Sequence, residues 1–372
     1  MTSNSNDKNR KVCHITSAHP RFDIRIFHKE CVSLSNAGYE VFLLVNDSQP
    51  DETRDGVNVV STGFSPKNRF ERMILSHKKI LEKALLIDAK VYHLHDPELL
   101  GVGTKLKKAG KKVIYDSHED VPRQIMAKTW IHPVLRKTVS KVFEIYENKR
   151  VKKFDMIVVP TPHIYKRFNH INENVVELCN FPMLKEFRNI PEQIENKVGV
   201  CYVGAISKVR GIYEISKATK KLGIPLKICG KFVPDSIKEE ILSENPQIEY
   251  LGFLDRKGVS NVIAQSVLGL VTLLPTPNHV NSYPIKMFEY MAAGIPVVAS
   301  DFELWRNIVE KSDCGICVDP SNVEEIITAI DKLINDPKKA AKMGQNGRKA
   351  VWDIYNWEKE EIKLVGAYKN LI

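Results

Sequence analysis

A chain of 372 residues is too long for one compact core and suits two domains of comparable size. Its 43% hydrophobic and 27% charged residues exclude a disordered chain, and no apolar run approaches the roughly 20 residues that cross a bilayer. A formal charge of +10 asks for an anionic partner. An anionic membrane surface and a phosphorylated substrate are the candidates; with no helix-turn-helix, RNA-recognition or zinc-finger pattern, no nucleic acid is expected.

Residues 1–10, MTSNSNDKNR, are polar, lack the apolar core of a signal peptide and are expected to be a disordered tail on a cytoplasmic protein. Lys11 to Ser17 reads as a strand, HPRFDIR from His19 as the loop beyond it, Ile26 to Ala37 as a helix stopped by Gly38, and Tyr39 to Val45 as the next strand. This is a parallel βαβ unit, and ligands bind beyond the carboxyl ends of such strands. Asp23 and Arg25 are therefore site candidates, with a helix cap as the other reading of Asp23.

Val57 to Thr62 predicts another strand and Asn68 to Ala89 a long basic helix. A strand from Val91 ends near His95 and Asp96, and a helix with acids in its first turn follows. Lys111 to Tyr115 is the next strand, with DSHEDVPRQ from Asp116 as its loop. His95 and His118 thus fall just beyond two strands in acid-bearing loops, a placement that favours handling a ligand. Asp116, Glu119 and Asp120 either orient an imidazole or bind hydroxyls. Trp130 to Lys153 carries apolar residues among Arg136, Lys137, Lys141, Lys149 and Arg150; it lies on an anionic bilayer or packs its apolar face into the core. Phe154 to Pro160 closes a first domain over residues 11–182, and the proline-bearing, aperiodic 183–196 reads as a linker.

The second domain, 197–355, opens with the strand Val198 to Ala205, followed by the loop ISKVRG with Lys208 and Arg210 ahead of a helix. Pro225 to Gly230, Gln247 to Leu254, Ser266 to Leu274 and Gly315 to Asp319 are further strands. Basic side chains at a strand-to-helix junction favour phosphate. The seven cysteines form no disulfide framework, and Cys314 and Cys317, a CxxC without a second pair, read as buried strand and turn residues.

The most informative stretch is NSYPIKMFEYMAAGIPVVAS, from Asn281 to Ser300. It reads as loop, short helix, tight turn and buried strand. The helix start at Pro284 and Ile285 offers unpaired N–H groups to a phosphate, Lys286 adds a charge, and Glu289 follows on nearly the same face, placed to accept from two ribose hydroxyls.

PIKMFEYMAAGIPVVAS resembles the donor-binding segment of the family 4 glycosyltransferases. The resemblance spans roughly the whole chain and implies the α/β GT-B fold, two doubly wound Rossmann-like domains facing a central cleft, with residues 356–372 as a C-terminal helix crossing back to the first domain. It implies transfer of a sugar from a UDP- or GDP-linked nucleotide sugar, with retention of configuration and with neither metal nor other cofactor. Glu289 matches the second glutamate of the family's Glu-x7-Glu, whereas Asn281 stands at the first. Arg210 matches one of two phosphate-binding cations, and Ala205 stands where the other is expected. His118 matches the histidine beneath the donor sugar, and His95 and Asp96 a neighbouring loop. On this footing His118, Arg210 and Lys286 are the catalytic candidates. Gly204, Lys208, Phe253, Leu254, Asn281, Ser282, Tyr283, Pro284, Ile285 and Glu289 are donor-binding candidates, and Asp23, Arg25, His95, Asp96 and Glu119 face the acceptor or cleft. The expected acceptor is a saccharide linked to polyprenyl diphosphate at the inner face of the cytoplasmic membrane, as in O-antigen or capsule synthesis. A sugar-nucleotide epimerase of the same architecture, and a catalytically silent subunit of a polysaccharide assembly complex, are the alternatives.

Overall fold

Short aliphatic runs bounded by glycine or polar loops form the strands, as their β-branched content and length dictate. The computed structural model describes residues 10–128, 131–191 and 197–372. Its chain divides into two units, one of residues up to Asn180 together with Glu360–Ile372, the other of Phe181–Lys359.

In the first unit the strands are β1 (Lys11–Thr16), β2 (Glu40–Val45), β3 (Glu52–Arg54), β4 (Val57–Ser61), β5 (Val91–Leu94), β6 (Lys112–Asp116), β7 (Met156–Val159) and β8 (Val175–Glu177). They form one sheet in the order β3-β4-β2-β1-β5-β6-β7-β8, parallel except for the β3–β4 hairpin. The chain winds outward from β1 in one direction and from β5 in the other, so the loops after these two strands share the topological switch point. Tyr92, Leu94, Tyr115 and Ile157 of the sheet pack with Ile80, Leu106 and Phe168 of the covering helices. The sequence reading has no counterpart for β3 or β8, each only three residues long. The helix expected from Ile26 starts at Ile24 as a widened π turn (Ile24–Cys31) and continues as an α-helix (Val32–Asn36).

The helix Pro133–Val151 decides between its two readings in part. Val134, Leu135, Val139, Val142 and Ile145 are all exposed, Val134 by 77% and Val142 by 61%. That apolar row does not pack in the core. Trp130, part of the same reading, lies outside the described residues, as do residues 1–9 of the expected tail and 192–196 of the expected linker.

The second unit holds β9 (Val200–Val203), β10 (Leu226–Cys229), β11 (Ile248–Tyr250), β12 (Leu268–Val271), β13 (Val297–Ser300) and β14 (Gly315–Val318). The order is β11-β10-β9-β12-β13-β14, with every pairing parallel and the switch point between β9 and β12. Gly269 lets the Tyr290 ring lie against β12, because a Cβ there would come within 2.2 Å of it. The Tyr290 hydroxyl then accepts from Val203 N at 2.9 Å, tying the helix Ile285–Ala292 to β9.

The segment read as a linker is different in structure. Met183, Leu184, Phe187 and Ile190 are buried, and Leu184–Glu186 makes a helical turn within the second unit. Its apolar residues follow no helical or strand period, so periodicity does not reveal them. The last helix, Trp357–Leu371, begins in the second unit and belongs to the first from Glu360 onward. There Tyr368 is fully buried, and Glu360 accepts from Cys179 N at 2.8 Å.

Candidate active site

In the second unit the site forms at the β9–β12 switch point. β9 ends at Gly204, whose φ of +106° admits few side chains and whose Cα faces Lys286: a Cβ there would lie 3.5 Å from Lys286 Nζ. The loop then makes a helical turn, Lys208–Arg210, and the helix Ile212–Leu222 begins at Gly211. Gly211 is needed, since its φ is +75° and a Cβ would come within 2.0 Å of the Thr272 carbonyl. Neither this helix nor Ile285–Ala292, which starts after Pro284, has a side chain capping its first N–H groups. Both helix starts therefore remain donors for an anion.

Lys286 is 7% exposed, and its ammonium has no hydrogen-bond partner. It sits 3.5 Å above the Tyr202 ring. Burial, and then the charge of Arg210, pushes its pKa well below the ordinary lysine value. A buried amine without a hydrogen-bond partner is a binding group for an anion from outside. Lys208, by contrast, is exposed and Arg210 half-buried.

Glu289 is 4% exposed, and its Oε1 accepts from Arg256 Nη2 at 2.5 Å. The same nitrogen donates to Glu186 Oε2 at 2.5 Å, so one guanidinium joins both carboxylates. Sequence reasoning gave no role to Arg256 or Glu186, whose only signal is the contact itself. Ser282 is part of the loop frame: its carbonyl accepts from Trp305 Nε1 at 2.6 Å and its hydroxyl donates to the His279 carbonyl at 3.2 Å. Tyr283 packs against Phe181 and Phe288, and Asn281 ends the turn Pro277–Val280. Phe253, beyond β11, is 77% exposed with Leu254 half-buried beside it. Cys314 is buried and Cys317 half-buried, and burial pushes both thiols up to about 12, so neither is a nucleophile at neutral pH.

In the first unit the loops after β1, β5 and β6 meet. His118 Nε2 lies 3.0 Å from Asp116 Oδ2 and 3.2 Å from His95 Nδ1, and its side chain is 19% exposed. It is the outward end of a buried chain. His95 is fully enclosed, and burial lowers its pKa to about 4.

Arg25, His95 and Asp96, three of the five residues expected to face an acceptor or the cleft, are internal instead, and half-buried Asp23 takes its other reading, a helix cap. Arg25 is 5% exposed and donates to both Asp116 oxygens, at 2.9 and 3.1 Å, and to the Leu178 carbonyl. Asp23 caps the helix after it, accepting from Arg25 N at 2.8 Å and Ile26 N at 3.0 Å. Asp96 is 3% exposed and accepts from Ser17 N, Ala18 N and the Thr16 hydroxyl, while His19 Nδ1 stands 3.2 Å from its other oxygen. Polar residues in a loop at a strand end look alike in sequence whether they bind the loop or a ligand. Glu119 is exposed beside His118.

Two doubly wound units, the second with uncapped helix starts and a buried cation at its switch point, define the GT-B class of glycosyltransferases. The chain belongs to the family 4 type of that class: the model of Glycosyltransferase Family 4 matches residues 26–178, and that of Glycosyl transferases group 1 matches residues 185–350. It is thus a glycosyltransferase. It is 20% identical over 297 residues to the MMP alpha-(1->4)-mannosyltransferase of Mycolicibacterium hassiacum, covering 75% of this chain and 70% of the relative. The capsular polysaccharide biosynthesis glycosyltransferase CapM of Staphylococcus aureus is 26% identical over 173 residues, 43% of this chain and 44% of that one. Among solved structures, sucrose-phosphate synthase from Thermosynechococcus elongatus superposes with a TM-score of 0.79 at 16% identity, over 97% of this chain and 99% of that one. Anabaena HepE, solved with UDP and glucose, gives 0.73 at 14% identity over 97% and 100%. These two likenesses concern the fold.

Proposed function

We propose that the second unit binds a UDP- or GDP-linked hexose and that the chain transfers the hexose to a saccharide acceptor with retention, without a metal ion. The observation that carries this reading is Lys286, buried, without a hydrogen-bond partner and set in the first turn of an uncapped helix. In this reading the diphosphate lies against Lys286, Arg210 and the helix N–H groups, which stabilise its departing charge. The C–O bond to the diphosphate breaks as the acceptor hydroxyl attacks from the same face, and a phosphate oxygen takes the hydroxyl proton. The second unit holds the donor, and the first serves the acceptor.

UDP and glucose in HepE, and mannosyl transfer in the name of the M. hassiacum relative, support a hexose donor. No described helix is long and apolar enough to cross a membrane. The exposed apolar row of Pro133–Val151 beside Lys137, Lys141 and Lys149 supports an anionic membrane surface as partner, with a polyprenyl-diphosphate-linked acceptor on its cytoplasmic side. The test is incubation of the purified chain with UDP and GDP sugars and saccharide-lipid acceptors, with and without chelator, read by mass spectrometry and anomeric NMR. Transfer with inversion, or transfer lost to the chelator, overturns the mechanism. Epimerised nucleotide without transfer favours an epimerase.

A further inference from the structure

Behind His118 the first unit contains a second, fully enclosed cluster that the transfer reaction does not use. His14 on β1 and His93 on β5 are register partners on adjacent parallel strands, and His95 follows His93 by two residues on the same side of the sheet. Glu30 enters from the widened turn of the helix Ile24–Cys31. His14, His93 and Glu30 have no exposed surface and His95 has 1%.

Glu30 Oε1 is 3.1 Å from Arg25 Nε, yet neither carboxylate oxygen makes a hydrogen bond. Oε2 faces three imidazole nitrogens, His14 Nδ1 at 3.9 Å, His93 Nδ1 at 3.7 Å and His95 Nε2 at 3.9 Å. These separations exceed a hydrogen bond, which ends near 3.2 Å. They are below about 4.1 Å, twice a metal–nitrogen bond, so an ion can bridge Glu30 Oε2 and an imidazole, and the four ligand atoms all lie within 4.8 Å of one another. His14 Nδ1 and His95 Nε2 stand 2.9 Å apart, a pair that must share either a proton or an ion.

We infer that His14, His93, His95 and Glu30 form a structural site for a divalent transition metal, with Zn2+ as the ion suited to three imidazoles and a carboxylate in a closed four-ligand set. Imidazole-rich sites select Zn2+ and its neighbours over Mg2+ or Ca2+, and a set with no open position holds structure rather than activating water. The surrounding groups suit that role. Asp116 Oδ2 lies 3.4 Å from His95 Nδ1 and the Tyr368 hydroxyl 3.2 Å from His14 Nε2, the ring nitrogens turned away from Glu30; the same hydroxyl is 2.9 Å from His93 Nδ1, a contact that the ion would replace. A carboxylate and a hydroxyl behind the ligands are the partners that fix metal-bound imidazoles. The ion would join β1, β5 and the Ile24–Cys31 helix beneath Tyr368 of the last helix. The inference is independent of donor chemistry.

The test is metal analysis of the purified full chain by plasma mass spectrometry, then removal with a chelator and titration with Zn2+ or Co2+. One equivalent is expected per chain. Co2+ is expected to show the intense visible bands of a tetrahedral site, and metal at about 100 times its dissociation constant to raise the Tm by roughly 5–10 °C. Glu30→Gln and His93→Ala are expected to lose uptake, and the exposed His170→Ala to keep it. The Co2+ spectrum of the unmodified chain keeps the test valid if the buried variants do not fold. Failure of that chain to take up Zn2+ or Co2+, equal uptake by Glu30→Gln, or a Tm that responds to pH but not to metal overturns the inference and leaves a shared proton as what the cluster holds. Transfer activity is not the readout, so failure here and failure of the proposed reaction are distinguishable.

Discussion

Replacing Lys286 by methionine moves stability and activity in opposite directions. The side chain is 7% exposed, its ammonium lacks a hydrogen-bond partner, and its compensation is the Tyr202 ring 3.5 Å away. A buried, uncompensated ion loses several kcal/mol of hydration, of which a desolvated cation–π contact returns about 2. Methionine keeps most of the packing and removes the ion, so a net gain on the order of 1 kcal/mol is expected, about 2–4 °C in Tm. On the donor side the variant loses a charge-assisted contact of about 1.5–3 kcal/mol, roughly 10- to 150-fold in kcat/KM.

The pH dependence gives a further check on Lys286. Its pKa is depressed by burial and by Arg210, so the folded chain binds fewer protons there than the unfolded one. Stability from this group therefore rises with pH, from the folded pKa up to the unfolded value near 10.4, and that rise is absent in the methionine variant. Saturating nucleoside diphosphate pairs with the Lys286 ammonium and is expected to raise the wild-type Tm more than the variant's. Differential scanning calorimetry with and without UDP or GDP, alongside initial rates, measures both halves. A variant that is less stable than wild type and binds nucleotide equally well refutes the reasoning, because Lys286 would then be a packing residue.

Arg256→Met leaves Glu289 and Glu186 facing each other without their shared guanidinium; because that guanidinium is 37% exposed, screening limits the expected loss to roughly 1–3 kcal/mol by chemical denaturation. Glu289→Gln removes the charge paired with Arg256 while keeping an acceptor oxygen, and is expected to raise the donor KM far more than it lowers the Tm, whereas the reverse pattern would make Glu289 a structural partner. Burial lowers the His19 pKa but the Asp96 carboxylate outweighs it and raises the value, so the pair's contribution through His19 is full below about 6.5 and is lost as pH rises through the folded pKa. In Asp96→Asn the His19 imidazole is expected to titrate below its wild-type value by NMR, and an unchanged titration counts against the contact. Chain bound to anionic vesicles is expected to be released by salt, with each of Lys137→Glu and Lys141→Glu weakening binding by about 1 kcal/mol and Val142→Asp weakening it without changing the salt slope.

The periodicity of the chain was enough to read both parallel sheets, because strands such as EVFLLV and VVAS are continuous aliphatic runs closed by turns. β3, the polar ETR, and β8, VVE, carry no such run and have no counterpart in the sequence reading. The Lys286 and Glu289 pair was legible because a lysine and a glutamate three apart at a helix start have a chemical meaning without tertiary information. Arg25 and Asp96 were not, since strand-end loops bring binding residues and loop-fastening residues to the same sequence positions, whereas the cap reading of Asp23 matches its bonds to Arg25 N and Ile26 N. The buried histidines were the least legible: His14 and His93 sit within hydrophobic strands, and only the β1–β5 register places them side by side.

The last helix bears on how such enzymes can be recombined. Tyr368 and Leu364, from the far end of the sequence, are enclosed in the interior of the unit built by the opening 180 residues. A hybrid that exchanges the second unit with that of a relative must therefore leave Glu360–Ile372 with its own amino-terminal portion. A fragment cut at Asn180 would lack the ring that seals its histidines, so fragment expression would report a defect of the dissection, not of the parent fold.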